Sequence, residues 1–568
     1  MSRTALRTVR ALAAAALFTT LAACGQPTAV VPDPTAASVS VAPTEVPGVG
    51  KTPADTLVFG HAEDATKLDP ADVTDSESLL ATWQIYEGLT RYKPGSTEVE
   101  PSLATEWSAS DDGLSWTFKL RAGVKFQDGT DFNADAVVWN FNRWFDAAHP
   151  QHFAEWEFEY WKSMFQGLKD EKNDDGTPKS VFAGIEAVDP QTVKITLNRP
   201  NAPLLQTLAM GNFAFSSPAA VEKAGASYGT PGGTPIAIGT GPYKVAEWVK
   251  DDHLTLEVNA DYWGEKPPLA KMELRAVPDN TSRFLAIQNG ELDGMTQLNP
   301  DDIAAAKEDA NLSVTLEPAN NVGYLGFNQA KAPWDNLDCR MAVAQAIDKS
   351  ALVSSMFAGD AEPAAEMMPP SLWGYNKTIV DYAFDMDAAK ASLAKCTATS
   401  KLPEKVVFYV PPIARFYFPQ PKELGEYIQA QLQSLGITTE IQSPDWGGKY
   451  LPDVRDGKAE LFLLGWGGDN GDPDNFLCQF FCGAESSFNS KNGKPAAPDA
   501  SLEKLLKDAA ATADPAKRTT MYEEANQKVH DGVLTVPLVH RTTPIVFRSN
   551  VTGYTASPLQ QRLTSVGK

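Results

Sequence analysis

The sequence predicts an α/β protein with more than one domain. Its 568 residues exceed what one hydrophobic core usually organises, so two or three domains are expected. The first half of the globular part alternates short strands with a few helices, which is typical of an α+β domain. The second half contains the order strand, loop, helix, strand, helix, strand over residues 405–464, which predicts a doubly wound, parallel sheet.

The N-terminus has the pattern of an export signal. Its first ten residues carry three arginines, and Ala11–Ala22 is a short apolar run. The run ends in Leu-Ala-Ala-Cys at residues 21–24, which resembles the bacterial lipobox, where the cysteine is lipidated and becomes the first mature residue. We expect residues 1–23 to be a lipoprotein signal peptide and Cys24 to carry the lipid. An ordinary secretory signal with an incidental cysteine is the alternative.

Residues 24–55 are predicted to be a flexible tether. They are rich in proline, alanine and threonine and contain no aromatic residue, so they bury too little apolar surface to fold. The chain as a whole has a formal net charge of −23, which excludes nucleic acid as an expected partner because that surface would be repelled. No apolar stretch reaches the roughly 18–20 residues of a membrane span.

The globular part begins near Thr56, and its first half is strand-rich. Alternating and apolar patterns predict strands at 57–60, 116–121, 124–128, 193–197, 244–247 and 254–258, and a helix at 78–89. Asn133 is predicted to cap a further helix, because it precedes a segment whose apolar residues fall on one helical face.

The second half supplies the predicted parallel sheet. The patterns predict strands at 321–328, 405–410, 437–441 and 460–464, and helices at 338–357, 422–435 and 446–456. Ligands of such sheets bind outside the carboxyl ends of the strands. Two loops leave carboxyl ends here, residues 411–419 and the segment that follows Leu464.

The segment after Leu464 is the strongest candidate site. Gly465, Trp466 and Gly467 offer exposed main chain beside a flat aromatic ring, and glycines let another backbone approach closely. Asp469 follows as a carboxylate just past the strand end. We interpret the segment as a ligand-binding edge, and the ligand as one that carries an ammonium group. A calcium loop built on Asp469 and the later aspartates is the alternative.

The loop 411–419 carries a single arginine, Arg415, among aromatic residues and prolines. The same end of the sheet can therefore offer one cationic and one anionic group to a small ligand. An ordinary surface charge, with its aliphatic stem on Phe416 or Phe418, is the other interpretation of Arg415.

The cysteines beyond residue 24 are Cys339, Cys396, Cys478 and Cys482. An even number in an exported protein permits two disulfides, with three possible pairings. A local bridge between Cys478 and Cys482 requires an irregular turn, because side chains four residues apart on a regular helix are slightly too distant. No cysteine pair has a histidine pair at zinc-ligand spacing, so no metal site is expected.

Several motifs together resemble a known family. In chain order they lie at 103–107 (LATEW), 112–118 (DGLSWTF), 120–126 (LRAGVKF), 239–243 (GTGPY), 262–264 (YWG), 321–325 (NVGYL), 373–376 (WGYN) and 465–469 (GWGGD). With these, the chain resembles the family 5 extracytoplasmic solute-binding proteins of ABC importers, and most closely their dipeptide-binding members. The resemblance runs from about Thr56 to near the C-terminus.

The resemblance implies a two-lobe, periplasmic-binding-protein-like fold that closes on its ligand like a hinged trap. Lobe I would comprise residues 56–318, with an extra subdomain at about 90–215. Lobe II would comprise residues 319–541, and residues 542–568 would return to lobe I. The chain would cross between the lobes near 317–320 and 541–543.

The resemblance also implies roles for individual residues. Asp469 would pair with a peptide's α-ammonium group, and Arg415 would hold the α-carboxylate, although the residues around Arg415 differ from the family pattern. The main chain of Gly465, Trp466 and Gly467 would pair with the peptide backbone like an added strand. No catalytic residue and no cofactor are expected.

The implied partners are a small peptide, the ABC permease with its cytoplasmic ATPase subunits, and the outer face of the bacterial cytoplasmic membrane through lipid on Cys24. The protein would act as a monomer. Two alternatives stay open: the same fold with another cargo, such as haem, a nickel chelate, glutathione, a sugar or an antimicrobial peptide, and an exported hydrolase. The chain lacks the His-Glu-x-x-His motif, which disfavours the hydrolase.

Overall fold

The computed structural model describes residues 52–482 and 500–568. The predicted signal peptide, the predicted lipid site at Cys24 and the predicted tether up to residue 51 lie outside the described residues. Within the described ranges, no helix has both the length and the apolar character that a membrane span requires.

The first sheet is built from the two ends of the described chain. Within the described residues it has seven strands, in the spatial order Leu312–Glu317, Thr543–Arg548, Gly294–Thr296, Thr56–His61, Lys271–Ala276, His253–Val258 and Tyr243–Val249. Thr56–His61 pairs in parallel with both of its neighbours, and the other pairs are antiparallel. Leu57 and Phe59 are fully buried, as the apolar pattern predicted.

Part of the strand-rich half forms a separate layer, which we call the subdomain sheet. In the described chain it comprises the antiparallel strands Ala104–Ala109, Ser115–Leu120, Thr192–Leu197 and Phe182–Asp189. The helix Ala134–Phe145 packs on it and buries Phe141 and Trp144. Asn133 caps this helix as predicted, since its side chain accepts a hydrogen bond from the Ala136 amide at 3.0 Å. The strands Thr90–Tyr92 and Val99–Pro101 form a hairpin that directly precedes the subdomain sheet in the sequence.

The remaining helices of this half are short. They are Pro70–Asp72, Ser76–Ile85, Glu159–Phe165, Leu204–Ala209, Gly211–Phe213, Pro218–Ala224, Gly225–Ser227, Asn280–Asn289, Pro300–Asp302 and Ile303–Glu308. The helix predicted at 78–89 ends at Ile85, because Tyr86 has an extended backbone. The strand predicted at 124–128 is wrong: only an isolated bridge joins Lys125 to Asp131, around a tight turn.

The second sheet lies between residues 321 and 541. Its described strands are six, in the spatial order Ala361–Pro363, Thr535–Arg541, Asn321–Phe327, Leu461–Gly467, Val406–Tyr409 and Thr439–Gln442. The last three run parallel, as the strand-helix alternation predicted. The other pairs are antiparallel, so the complete sheet is mixed.

The helices of this half are Leu337–Ala346, Lys349–Met356, Met386–Thr399, Pro421–Leu435, Trp446–Tyr450 (a π-helical turn), Leu451–Arg455, Asp474–Phe481, Ala500–Ala511 and Pro515–Asp531. The single helix predicted at 338–357 is wrong, because Asp348 caps a second helix there by accepting from the Ala351 amide at 2.9 Å. Pro421–Leu435 ends at Gly436 in the left-handed region, as predicted.

The chain changes sheets at two places. It leaves the first sheet after Glu317 and enters the second at Asn321, and it returns between Arg541 and Thr543. The Asn321 side chain joins the two crossings, since it donates to the Arg541 carbonyl at 2.7 Å and accepts from the Arg541 amide at 3.0 Å. Each sheet has its own buried core, which gives the two-lobe α/β fold.

Two disulfides join the cysteines beyond residue 24. Cys339 bonds Cys396 and links the helices Leu337–Ala346 and Met386–Thr399. Cys478 bonds Cys482 with a Cα–Cα distance of 4.6 Å. The irregular turn that this local bridge requires is present, because Cys482 follows the last helical residue and has an extended backbone.

Candidate functional site

The strand Leu461–Gly467 carries the candidate site at its carboxyl end. It pairs along its whole length with Asn321–Phe327, whereas Val406–Tyr409 pairs with it only at Leu461 and Phe462. In the part of the chain that the structure describes, the second edge of Leu463–Gly467 therefore has no strand partner. The sequence had placed the strand end at Leu464, but regular pairing continues through Gly467.

The glycines of this strand are explained by the loop 411–419. A Cβ atom on Gly465 would overlap the ring of Tyr417, and one on Gly467 would come within 2.7 Å of the ring of Phe416. The loop that carries Arg415 therefore packs directly on the glycine-rich end of the strand. Of the predicted site residues, Arg415 and Gly465–Gly467 are brought together by this packing.

Asp469 lies just beyond the strand and is partly buried. Its carboxylate accepts hydrogen bonds from the Tyr160 hydroxyl at 3.2 Å and from Nδ2 of Asn475 at 3.1 Å. Within the described residues it makes no ion pair. Burial raises the pKa of Asp469, and the two hydrogen bonds oppose that shift only in part.

Asn475 is the residue that fixes Asp469. Its side-chain oxygen accepts from the Asp469 amide at 2.9 Å and from the Trp466 indole at 3.3 Å, while its nitrogen donates to the Asp469 carboxylate. One amide side chain thus holds both the aromatic wall and the carboxylate. Nothing in the sequence singled out Asn475.

Arg415 sits in a tight turn, in which its amide and carbonyl both bond to Phe418 at 2.9 Å. Its guanidinium carbon lies 4.9 Å from the Trp446 ring centre and 6.0 Å from that of Tyr417. The surface-charge interpretation had expected contact with Phe416 or Phe418 instead. Arg415 makes no ion pair with any described residue, and its buried Nε has no hydrogen-bond partner there.

Contacts from the first-sheet half reach the same segment. The Tyr160 contact to Asp469 crosses between the lobes, and the Tyr92 hydroxyl lies 3.0 Å from the Asn470 carbonyl. The Ala202 amide also donates to the Ala510 carbonyl at 2.8 Å. The segment after Gly467 is therefore in contact with both lobes. Sequence reasoning missed Tyr160, because a lone tyrosine distant along the chain gives no signal.

The aspartates after Asp469 have structural partners. Asp472 is fully buried, and Arg518 donates to its two oxygens at 2.9 and 3.0 Å. Asp472 also accepts a hydrogen bond from the Asp474 amide at 3.0 Å within this turn. Asp474 is the first residue of the helix Asp474–Phe481 and accepts from the Tyr522 hydroxyl at 3.3 Å. The ion pair with Arg518 was not foreseen.

The profile of the family described as "Bacterial extracellular solute-binding proteins, family 5 Middle" matches residues 98–488. The chain belongs to this family. Solute-binding proteins of this kind serve ABC importers, as the sequence resemblance indicated, and the fold has the expected two lobes.

The comparisons include relatives with different cargoes. The dipeptide-binding protein of Escherichia coli is 34% identical over 89% of this chain and 93% of its own length. The heme-binding protein A of Haemophilus influenzae is 32% identical over 97% of each chain. Among solved structures, HbpA2 from Haemophilus parasuis has a TM-score of 0.80 at 30% identity and covers 90% of this chain and 99% of its own. The Escherichia coli and Haemophilus influenzae relatives are named as binding proteins.

Proposed function

We propose that this protein captures dipeptides and short oligopeptides between its two lobes and delivers them to the membrane permease of an ABC importer. Lobe I would comprise residues 56–318, including the subdomain at about 90–215. Lobe II would comprise 319–541, and 542–568 would complete lobe I. The two places where the chain changes sheets support these boundaries.

One observation carries the proposal. Asp469 follows the strand Leu461–Gly467, the loop that carries the oppositely charged Arg415 packs on the same strand, and neither residue has an ion-pair partner among the described residues. A buried charge without a partner is costly unless a ligand supplies the opposite charge. A dipeptide is a zwitterion whose ends are roughly 7 Å apart when extended, and it supplies both charges at once.

The remaining groups would orient the ligand. The free edge of Gly465–Gly467 would exchange main-chain hydrogen bonds with the peptide backbone, and Trp466 would line its path. Asn475 holds Asp469 before the ligand arrives, which lowers the cost of ordering the site. Arg415 offers a planar fork that suits a carboxylate. Main-chain contacts carry no side-chain information, so many dipeptide sequences would bind.

Export and lipid anchoring are part of the proposal. The arginine-rich start, the apolar run and the Leu-Ala-Ala-Cys sequence at residues 21–24 support cleavage before Cys24 and lipid attachment there. A monomer tethered by residues 24–55 to the outer face of the cytoplasmic membrane would reach its permease without leaving the surface. Loss of membrane association on Cys24→Ala, measured by fractionation, tests this part.

Haem is the second candidate cargo. The 32% identity to heme-binding protein A extends over 97% of each chain, which is a longer match than the one to the dipeptide-binding protein. The unpaired Arg415 beside Trp446 could also meet a haem propionate. This candidate gives Asp469 no partner, which is why we favour the peptide.

The deciding experiment combines native mass spectrometry of co-purified ligand with calorimetric titration. Free dipeptides are expected to bind far more tightly than the same dipeptides with an acetylated α-amine, because acetylation removes the charge that Asp469 would meet. Equal affinities would contradict the role of Asp469, and a haem-sized adduct with no dipeptide binding would favour the second candidate. Chromatography of the recovered peptide detects turnover, which would favour the hydrolase alternative.

A further inference from the structure

The structure contains a cavity of about 640 Å³ that is distinct from the candidate peptide site. Its lining residues come from 91–121, 242–268 and 553–565, so all of them belong to the half of the chain that contains the first sheet. A cavity of this size is typical of sites for small organic ligands. Neither Asp469 nor Arg415 lines it.

The charge of this cavity is opposite to that of the chain. Among the described residues its walls carry one acidic side chain, Glu265, and several basic ones, namely Arg91, Lys93, Arg121, Lys266 and Arg562. The chain as a whole has a formal charge of −23. Basic residues gathered around one concavity in such an acidic protein attract anions locally while the rest of the surface repels them.

Three of these five cations have no ion-pair partner among the described residues, although the buried Glu87 carboxyl attracts Arg562. Arg91 pairs with Glu100 at 2.7 Å, and Lys93 pairs with Glu98. Arg121, Lys266 and Arg562 form no ion pair within the described residues. Burial lowers the pKa of the Arg562 guanidinium, which means that its charge is poorly solvated where it stands.

The two unpaired arginines are held in place by neutral partners. The Arg121 guanidinium stacks 4.3 Å from the Trp263 ring centre, and its Nε donates to the Ser102 carbonyl at 3.2 Å. The Arg562 Nε donates to the Gln560 side-chain oxygen at 3.1 Å. Each arginine therefore uses Nε for the scaffold, and its terminal nitrogens remain available for a ligand.

A buried carboxyl group stiffens the aromatic wall of the cavity. Glu87 accepts hydrogen bonds at 2.8 Å from Thr240, from the Tyr262 hydroxyl and from the Trp263 indole. These bonds fix the ring on which Arg121 stacks. A preorganised cation loses little entropy when it binds an oxyanion.

We propose that this cavity binds a small organic anion with two or more negative charges, such as a phosphate monoester or a polycarboxylate. Guanidinium groups bind both kinds of oxyanion through paired hydrogen bonds. The size of the cavity leaves room for an organic part beside the charged group. The two proposed sites share no charged residue, although Tyr92 in the lining of this cavity bonds to the Asn470 carbonyl beside Asp469.

Calorimetric titration of the full-length protein with glycerol 3-phosphate and with citrate tests the proposal. We expect binding of at least one probe, and a loss of affinity of roughly tenfold or more in Arg562→Gln and in Lys266→Gln. Lys266 is exposed, so its variant keeps the test valid if Arg562→Gln does not fold. The control Arg275→Gln also removes one positive charge from the same half, but its partner is Glu273 and it does not line the cavity.

A phosphate monoester could be a free solute or a lipid headgroup. Flotation with phosphatidic acid vesicles, against phosphatidylcholine vesicles, distinguishes the two sources. Binding to phosphatidic acid vesicles that Lys266→Gln weakens, with no response to the soluble probes, would identify a headgroup and support the site. No binding of any probe, or equal affinities for the wild type and both cavity variants, would overturn the proposal.

Discussion

Asp469 and Asp472 lie in one short segment, yet the structure treats them in opposite ways. Asp472 is fully buried, and both of its oxygens are bound by Arg518. Asp469 is partly buried, accepts only neutral hydrogen bonds and has no cation beside it in the described chain. The Asp472 carboxylate has both oxygens bound by Arg518, whereas the Asp469 carboxylate has no counter-charge among the described residues.

The difference separates a carboxylate that stabilises the fold, Asp472, from one that can bind a ligand, Asp469. A buried ion pair that is complete within the chain holds the turn in one geometry, because breaking it leaves an uncompensated charge. A carboxylate held by neutral donors keeps its position but retains its need for a cation. The cationic side chains show the same contrast: Arg518 has its carboxylate, while Arg415, Arg121 and Arg562 have none within the described residues.

The largest expected effect comes from breaking the ion pair between Asp472 and Arg518. Asp472→Asn should lower the free energy of unfolding by about 3–5 kcal/mol, because Arg518 would stay buried without its partner. Urea unfolding measures this as a lower midpoint. The matched control is Asp474→Asn, which alters a carboxyl group in the same turn that has no ion pair of its own and which is expected to stabilise rather than destabilise the protein at neutral pH. A loss below about 1 kcal/mol for Asp472→Asn would remove the basis of the comparison.

Unlike Asp472→Asn, Asp469→Asn should weaken ligand binding without lowering the stability of the ligand-free protein. The affinity for free dipeptides is expected to fall by about 2–5 kcal/mol, since the ligand ammonium would be left without its partner. The ligand-free protein should be no less stable, because burial raises the pKa of Asp469 and the folded state therefore disfavours its charge at neutral pH. Calorimetry measures the affinity for dipeptides, and thermal unfolding measures the stability of the ligand-free protein. A destabilised ligand-free protein would show that Asp469 is a structural residue like Asp472.

Arg415→Ala tests the opposite end of the proposed ligand. Dipeptide affinity should fall by about 1.5–3 kcal/mol, because a hydrogen-bonded charge pair is lost. Tetrapeptides should lose less, since their carboxylate would lie beyond Arg415. Lys422→Ala, an exposed cation at the start of the next helix, serves as the control. If tetrapeptides lost more than dipeptides, the site would be longer and would have no carboxylate clamp at Arg415.

A further prediction concerns the pH dependence of stability. Burial and the neighbouring Asp472 carboxylate raise the pKa of Asp474 to about 7. Between the unfolded value of about 3.9 and this value, the folded protein keeps a proton that the unfolded chain has released, so stability falls as pH rises. Asp474→Asn removes that slope, so its stability relative to the wild type should rise between pH 4 and pH 8 by up to about 4 kcal/mol for a shift of about three pKa units. Parallel stability curves for variant and wild type would contradict this assignment.

Local patterns predicted many elements because they depend on near neighbours. Asn133 and Gly436 mark helix ends through bonds and backbone angles within one turn, and the parallel part of the second sheet follows from strand-helix alternation. The break at Asp348 was missed because the apolar pattern continues across it. The extension of the strand Leu461–Gly467 beyond Leu464 was missed because its pairing partner, Asn321–Phe327, lies far away in the sequence.

The sequence by itself determined the family, the two-lobe α/β class and the segment at 465–469 as the place to look. Those signals are carried by residue types at fixed spacing. Only the tertiary structure decided which charges have partners: Arg518 reaches Asp472, Tyr160 and Asn475 hold Asp469, and Arg121 and Arg562 face one cavity. The physical reason is that an ion pair depends on distance in space, and residues far apart along the chain meet only after it has folded.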